Sequence, residues 1–431
     1  MSYVDFAHLR NLLNQTGDYS ALLTEFGEGK QAAYIAEKVE TALKSALEEA
    51  KKLADSAESP DEPDGYEAIR KLCEGGNKPA ENIPNLEEKM AGAVLGRFAG
   101  CTLGVPVEMW SIEAMEKLAK YNNMSFPPRD YWTRVDREWD IQYKTDERRL
   151  YTRDGMDGVP VDDDVTYTIL GLLIVERYGF GFTTEDVAEI WKEILPIACT
   201  AEEVALNNLK AGVPAAEAGL VDNPYRLWIG ADIRADGFAF AAAGNPELAA
   251  KMGYYDAYLT HRRGGIYGEM FFAAAEAAAF AVDDVLDAVR IGMREIPRSS
   301  TLYKDVEWAL ETGGTLSGYK AARKAVDERF AGMSSVHTNN NACLTVFGLM
   351  LGKGDFTETI GNVVAMGLDN DCTGATAGSL IGAVVGKSGI DAHWTKNFND
   401  KVRTYLTGMP VLSIEDVIAR FIKLSERGRQ V

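Results

Sequence analysis

Between Lys30 and Ala54 the apolar positions fall at Ile35, Ala36, Val39, Leu43, Ala46, Leu47, Ala50 and Leu53. Steps of three and four put these on one stripe of an α-helix, with Glu48, Glu49, Lys51 and Lys52 on its wet face. Ser56 to Gly65 follows, holding Pro60, Pro63, Glu58, Asp61, Glu62 and Asp64, and reads as an exposed connector. From Glu88 onward helical patterns dominate. The window FFAAAEAAAFAV at 271–282 has high helix propensity. Thr184-Glu185-Asp186 opens a helix through Val187, Ile190 and Trp191, and few segments alternate as half-buried strands do. Pro127-Pro128 and the charged, aromatic stretch Asp130 to Arg153 break the pattern as an insertion at about 122–158. Loops of that length often serve as lids. No repeat of 20–50 residues recurs, which argues against a solenoid. The expectation is an all-α protein: a helical extension over 1–88 and a main helical domain over 89–431.

Glycines modify this picture. Gly92, Gly96, Gly100 and Gly104 are spaced by four, and so are Gly374, Gly378, Gly382 and Gly386. Each helical glycine costs roughly 1 kcal/mol relative to alanine, so both stripes need a compensating close approach of backbones. We expect both helices in the core, where they can pack against each other. A membrane-dimer reading fails, because the apolar stretch after Asp371 is too short.

Composition narrows the function classes. Lys and Arg number 45 against 65 Asp and Glu, a formal charge of −20. That balance argues against a nucleic-acid binder or a basic membrane-surface protein, and no run of about 18 apolar residues suggests a membrane span. Cys73, Cys101, Cys199, Cys343 and Cys372 are scattered, with no C-x-x-C, so neither a disulfide framework nor a zinc cage is expected. A reducing cytoplasm is the natural compartment, and no signal peptide is visible. His8, His261, His337 and His393 are too dispersed for a histidine metal site.

The candidate chemistry lies in two carboxylate clusters. Asp162-Asp163-Asp164 precede an apolar helical run from Ile169 to Val175. Helix caps account for one or two aspartates there, but three in a row repel one another unless a cation sits among them. Gly367-Leu368-Asp369-Asn370-Asp371-Cys372-Thr373-Gly374 also stands at a helix start. Its spacing imitates half an EF-hand loop, but Leu380 occupies the twelfth position. Two readings stay open: two capped helices, or one shared site of hard oxygen ligands suited to Mg²⁺, Mn²⁺ or Ca²⁺. Gly230-Ala231-Asp232-Ile233-Arg234 reads as a surface turn or as a phosphate holder. Thr260-His261-Arg262-Arg263 reads as a solvated loop or as a local positive patch.

At these residues the chain resembles the ADP-ribosylglycohydrolase family, over most of residues 89 to 400. Gly100-Cys101-Thr102-Leu103-Gly104 followed by Glu108 is similar to the family's G-D-A-L-G segment and its glutamate, with Cys101 in the aspartate position. Asp162 to Val165 falls where the family has T-D-D-T, with Asp162 in the threonine position. Gly230 to Arg234 lies where a glycine-rich segment holds the diphosphate, Thr260-His261 matches a ligand-side pair, and Gly367 to Gly374 corresponds to G-G-D-T-D-T-x-G.

The resemblance implies an all-α, compact orthogonal helical bundle with a central binuclear metal site of two Mg²⁺ ions, Mn²⁺ being the substitute. It assigns metal ligation to Asp162, Asp163, Asp164, Asp369, Asp371, Cys372 and Thr373. Cys372 stands where threonine or serine is usual. It implies hydrolysis at C1 of a ribose, with Asp163 or Asp164 activating water and Glu108 protonating the departing group. Gly230, Asp232, Arg234 and His261 would contact ADP-ribose or an ADP-ribosylated substrate, and Tyr254, Tyr255 and Tyr267 are stacking or core residues. Two rivals remain: a hydrolase of another ribosyl or sugar glycoside, and a non-catalytic binding member.

Overall fold

The computed structural model describes residues 3–57, 59–135 and 148–431. The chain divides into two units, one of residues 1–60 with 330–333, the other of 61–329 with 334–431.

The first unit is built on helices Ala7–Glu25 and Gly29–Ser56, the second matching the expected amphipathic helix. Leu13, Val39, Leu43 and Leu47 line a shallow groove between them. Ala32 is the one fully buried residue among the described positions of the two helices.

The second unit is all-α as expected; among the described residues its sole sheet pairs Val402–Arg403 with Val411–Leu412. Residues 61–64 correct the expectation of an exposed connector. Glu62 accepts from the backbone N–H and hydroxyl of Thr301 at 2.7 and 2.8 Å, and Asp64 accepts from the Arg263 N–H at 2.7 Å. The acidic side chains there cap backbone donors. Helix Tyr66–Leu72 continues this attachment by burying Ile69.

The core runs through helices Leu86–Gly104, Gly264–Ala279 and Asn370–Val385, in which nearly every residue is buried. Leu86–Val107 is long and apolar enough to cross a membrane, yet its apolar part from Met90 onward is buried, so packing inside the protein accounts for its apolarity. The two glycine stripes face each other. A Cβ on Gly92, Gly96 or Gly100 would lie 2.2, 2.2 or 1.9 Å from the carbonyl oxygens of Gly382, Gly378 and Gly374. Ascending numbers meet descending ones, so the helices run antiparallel. Gly386 departs from the expected stripe: it lies just past the helix end with φ +71° and terminates it.

Helix Asp163–Tyr178 starts at Asp162, whose side chain accepts from the Asp164 N–H at 3.0 Å. It meets helix Ala235–Ala241 where Gly171 and Gly237 touch. Helix Thr184–Ile194 begins as expected, with Thr183 and Asp186 forming a capping box. The central part of the insertion, 136–147, lies outside the described residues. Its flanks are anchored: Trp132 donates to the Leu103 carbonyl at 3.0 Å, Tyr131 to that of Trp394 at 2.7 Å, and Tyr151 to that of Val161 at 2.6 Å.

Candidate metal centre

The antiparallel glycine contact decides where the two aspartate motifs go. Because Gly100 meets Gly374, the end of the first helix lies beside the start of the second. A Cβ on Gly104 would lie 2.4 Å from Asp371 Cα and 2.5 Å from the Asn370 carbonyl oxygen. Cys101 and Glu108 therefore reach the same place as Asp369, Asp371 and Cys372. Arg97, one turn earlier, reaches the third helix start. It donates to the Asp164 carbonyl at 3.0 Å and to Asp164 Oδ1 at 3.1 Å.

Three overlapping groups result, each with its ligand atoms within 4.8 Å of one another: Cys101–Asp162–Asp164, Asp164–Asp371–Cys372 and Glu108–Asp369–Asp371. All of these are buried except Glu108, which is half-buried. Asp164 Oδ2, Asp369 Oδ1 and Asp371 Oδ1 are buried without a hydrogen-bond partner. Buried carboxylate oxygens are ordinarily satisfied. Several orphaned ones within overlapping groups of candidate ligands fit a divalent cation, so the donor set suits a metal. Burial raises the carboxyl pKa of Asp162 and Asp371 well above the ordinary range, and neighbouring carboxylates add to it. Asp164 is pushed up to about 8, mainly by burial, against the lowering effect of Arg97. Glu108 is also pushed up to about 8, by burial and then by Asp369, Asp163 and Asp164.

Thr373 is buried, and its hydroxyl donates to the Asp369 carbonyl at 3.0 Å, leaving oxygen lone pairs free. Asp163 is half-buried and opens onto a cavity of about 100 Å³ with Glu108, Asp369, Asp371 and Cys372. Gly230 lines the same cavity, as do Tyr167, Cys199, Glu202 and Trp228.

Asp232, Arg234 and His261 do not line it. Arg234 is enclosed by Glu202, Asp256 and Glu269 and donates to Thr260 Oγ1 at 2.9 Å. His261 is fully buried with Nδ1 2.7 Å from Thr260 Oγ1, and burial with the neighbouring Arg234 and Arg262 holds its pKa well down. Asp232 is buried with both oxygens unpartnered, and burial raises its pKa. The segment thus braces the cavity wall through its ion pairs. Tyr254 and Tyr267 are core residues, their hydroxyls donating to the carbonyls of Asp64 and Pro63.

Sequence reasoning missed Glu202, Tyr167 and the Arg97 cage. Glu202 looks like an ordinary first-turn acid of helix Thr200–Lys210. Tyr167, whose buried hydroxyl lacks a partner, looks like core. Arg97 did carry a signal: a lone arginine in an apolar, glycine-striped helix must find buried acids. It finds Asp164 and Asp236, and Glu276 acts on it electrostatically.

A model of the ADP-ribosylglycohydrolase family matches residues 82–428. The chain belongs to the ADP-ribosylglycohydrolase family, which supports hydrolase chemistry on ADP-ribosylated substrates at the family level. Among solved structures it is similar to an ADP-ribosylglycohydrolase-related protein complex at 17% identity and TM-score 0.53, covering 80% of this chain and 100% of that one. That likeness concerns the fold alone. No curated protein matches the sequence.

Proposed function

We propose that the protein hydrolyses the glycosidic bond between ADP-ribose and an acceptor, a modified protein side chain or a small molecule, using divalent metal held in this cavity. The observation that carries the reading is the set of orphaned carboxylate oxygens on Asp164, Asp369 and Asp371 at the meeting point of three helix ends. Asp162, Asp163, Asp164, Asp369, Asp371, Cys372 and Thr373 would hold the ions, two Mg²⁺ in the simplest form, with Mn²⁺ as substitute. When bound, metal supplies Lewis-acid stabilisation of the ribose hydroxyls and eases ionisation of a water.

The chain's own groups do the rest. Glu108, whose pKa burial and then the neighbouring carboxylates raise, donates a proton to the departing atom of the acceptor. Asp163, half-buried at the cavity wall, accepts a proton from the attacking water. The surrounding carboxylates stabilise the oxocarbenium-like sugar. We place this activity in the cytoplasm.

A second reading, hydrolysis of another ribosyl or sugar glycoside, draws on one observation. Among the described residues the cavity lining includes no Lys or Arg, and Arg234 is committed to three carboxylates. Calorimetric titration with Mg²⁺ and ADP-ribose, followed by ADP-ribose release from arginine- and serine-modified peptides, separates the readings. Metal-dependent ADP-ribose binding and release support the first. Metal binding without ADP-ribose affinity transfers support to the second, and absence of metal binding overturns both.

A further inference from the structure

The carboxylate cluster is chemically uneven. Two of its three groups contain a thiol and share Asp164; the third, Glu108–Asp369–Asp371, contains only oxygen donors. Both cysteines are free and buried, Cys101 at 1% exposure and Cys372 at 6%. Neither position is accidental to the fold. Cys101 follows Gly100, and Cys372 sits in the first turn of the helix whose Gly374 faces Gly100. The antiparallel contact places the two cysteines in groups that share Asp164. Asp164, whose Oδ2 is orphaned, belongs to both thiol-bearing groups, and Asp371, grouped with Cys372, has an orphaned Oδ1.

Donor chemistry then separates the two parts. Mg²⁺ takes oxygen ligands and binds thiolate poorly, whereas Zn²⁺, Co²⁺ and Fe²⁺ accept mixed sulphur and oxygen sets. We propose that the thiol-bearing part of the cluster, the Cys101–Asp162–Asp164 and Asp164–Asp371–Cys372 groups joined at Asp164, takes a borderline, thiophilic divalent cation of the Zn²⁺ class, while the all-oxygen part around Asp369, beside Glu108, takes a hard cation such as Mg²⁺. The inference rests on reading the cluster as a metal site. Each thiol that ligates releases one proton to solvent, and no redox step is involved.

Co²⁺ is the probe, because thiolate-to-Co²⁺ charge transfer absorbs in the near ultraviolet. The metal-stripped protein titrated with Co²⁺ is expected to show that band, and to keep it with excess Mg²⁺ present. Cys73→Ser, Cys199→Ser and Cys343→Ser should each keep it. Cys101→Ser and Cys372→Ser should each weaken it, and the double variant should lose it. Zn²⁺ affinity, measured by competition with a chromophoric chelator, should fall at least about tenfold in each site variant, with Mg²⁺ affinity nearly unchanged. Cys372→Thr, the residue type the family carries there, provides a variant that keeps an oxygen donor should serine perturb folding. Bound Co²⁺ without the band, or a parallel fall in Zn²⁺ and Mg²⁺ affinity, overturns the inference and leaves the metal-site reading standing. Failure of the parent protein to bind any divalent ion overturns both.

Discussion

Gly96 and Gly378 face each other so closely that a Cβ on either would lie 2.2 Å from the other's carbonyl oxygen. No side chain fits there, and backbone would have to move. Gly96→Ala and Gly378→Ala are each expected to destabilise the second unit by about 3 kcal/mol, the upper range of overpacking costs. They should also weaken metal binding, because the same contact sets the separation of Cys101 from Asp371. Gly17→Ala is the control: nothing lies within 4 Å of its added methyl, so relief of helix propensity should stabilise the first unit by up to about 1 kcal/mol. Thermal unfolding and Mg²⁺ calorimetry check both. Equal effects at Gly17 and Gly96 would show that propensity, not contact, governs the stripe.

Arg97 holds Asp164 from behind while pairing with Asp236 through Nη1 at 2.6 Å, all three fully buried. Arg97→Met strands those carboxylates and is expected to cost about 3–5 kcal/mol, the range for breaking a buried pair from one side. Metal affinity should fall about 10–100-fold, as when a supporting partner of a ligand is removed. Adding Asp236→Asn and Glu276→Gln should recover much of the stability but not the affinity, since Asp164 still lacks its brace. Recovery of both would reduce Arg97 to a charge-balancing role.

The helical class, the core glycine helices and the two aspartate clusters were legible because each leaves a local mark. Gly-x-x-x-Gly spacing needs close contact, and three adjacent aspartates need a cation or a cap. What places Arg234 and His261 behind the cavity wall leaves no such mark. Their partners Glu202, Asp256, Thr260 and Glu269 come from separate segments, and only the packed fold shows that the guanidinium is already satisfied. Glu62 and Asp64 misled in the opposite direction: a Pro- and acid-rich stretch has the composition of a linker, yet its carboxylates cap Thr301 and Arg263. A lone Glu276 within FFAAAEAAAFAV and a lone Arg97 within its apolar helix were the readable signs of a buried charge cage.

Several carboxyls in the metal-free protein hold protons that the unfolded chain would release. Asp164 and Glu108 sit near 8, Glu202 near 7, and Asp162, Asp369 and Asp371 are raised as well. A raised folded-state pKa gives stability that is complete below the unfolded value of about 4 and is lost as pH rises through the folded one. His261 and His337 have lowered pKa values, so above about pH 6.5 they are largely neutral in both states and do not offset this. The metal-free protein should therefore melt at progressively lower temperature between about pH 6.5 and 8.5, and added divalent metal should restore it most at the upper end. Calorimetry in two buffers of different ionisation enthalpy should register proton release on metal binding. A melting temperature that rises over this window, with no proton release, would contradict the assignment of these carboxyls as protonated.

Glu108 stands apart from the other acids: it is half-buried, reaches the cavity and shares a group with Asp369 and Asp371. Its approach is fixed by backbone, because Met109, at φ +60°, donates its N–H to the carbonyl of Leu368, itself at φ +62°, at 3.0 Å. Two non-glycine residues in the left-handed region, bonded to each other, hold Glu108 next to Asp369, where such strain concentrates in functional sites. Glu108→Gln preserves that frame and removes the titratable proton. At saturating metal, kcat on an ADP-ribosylated peptide is expected to fall about 10²–10⁴-fold with KM little changed. A substrate whose leaving group needs no protonation, such as a nitrophenyl ribosyl ether, should recover most of the lost rate, which a ligand-only role for Glu108 would not produce. Equal loss on both substrates would make Glu108 a metal-holding residue and move the proton-donating role elsewhere in the cavity.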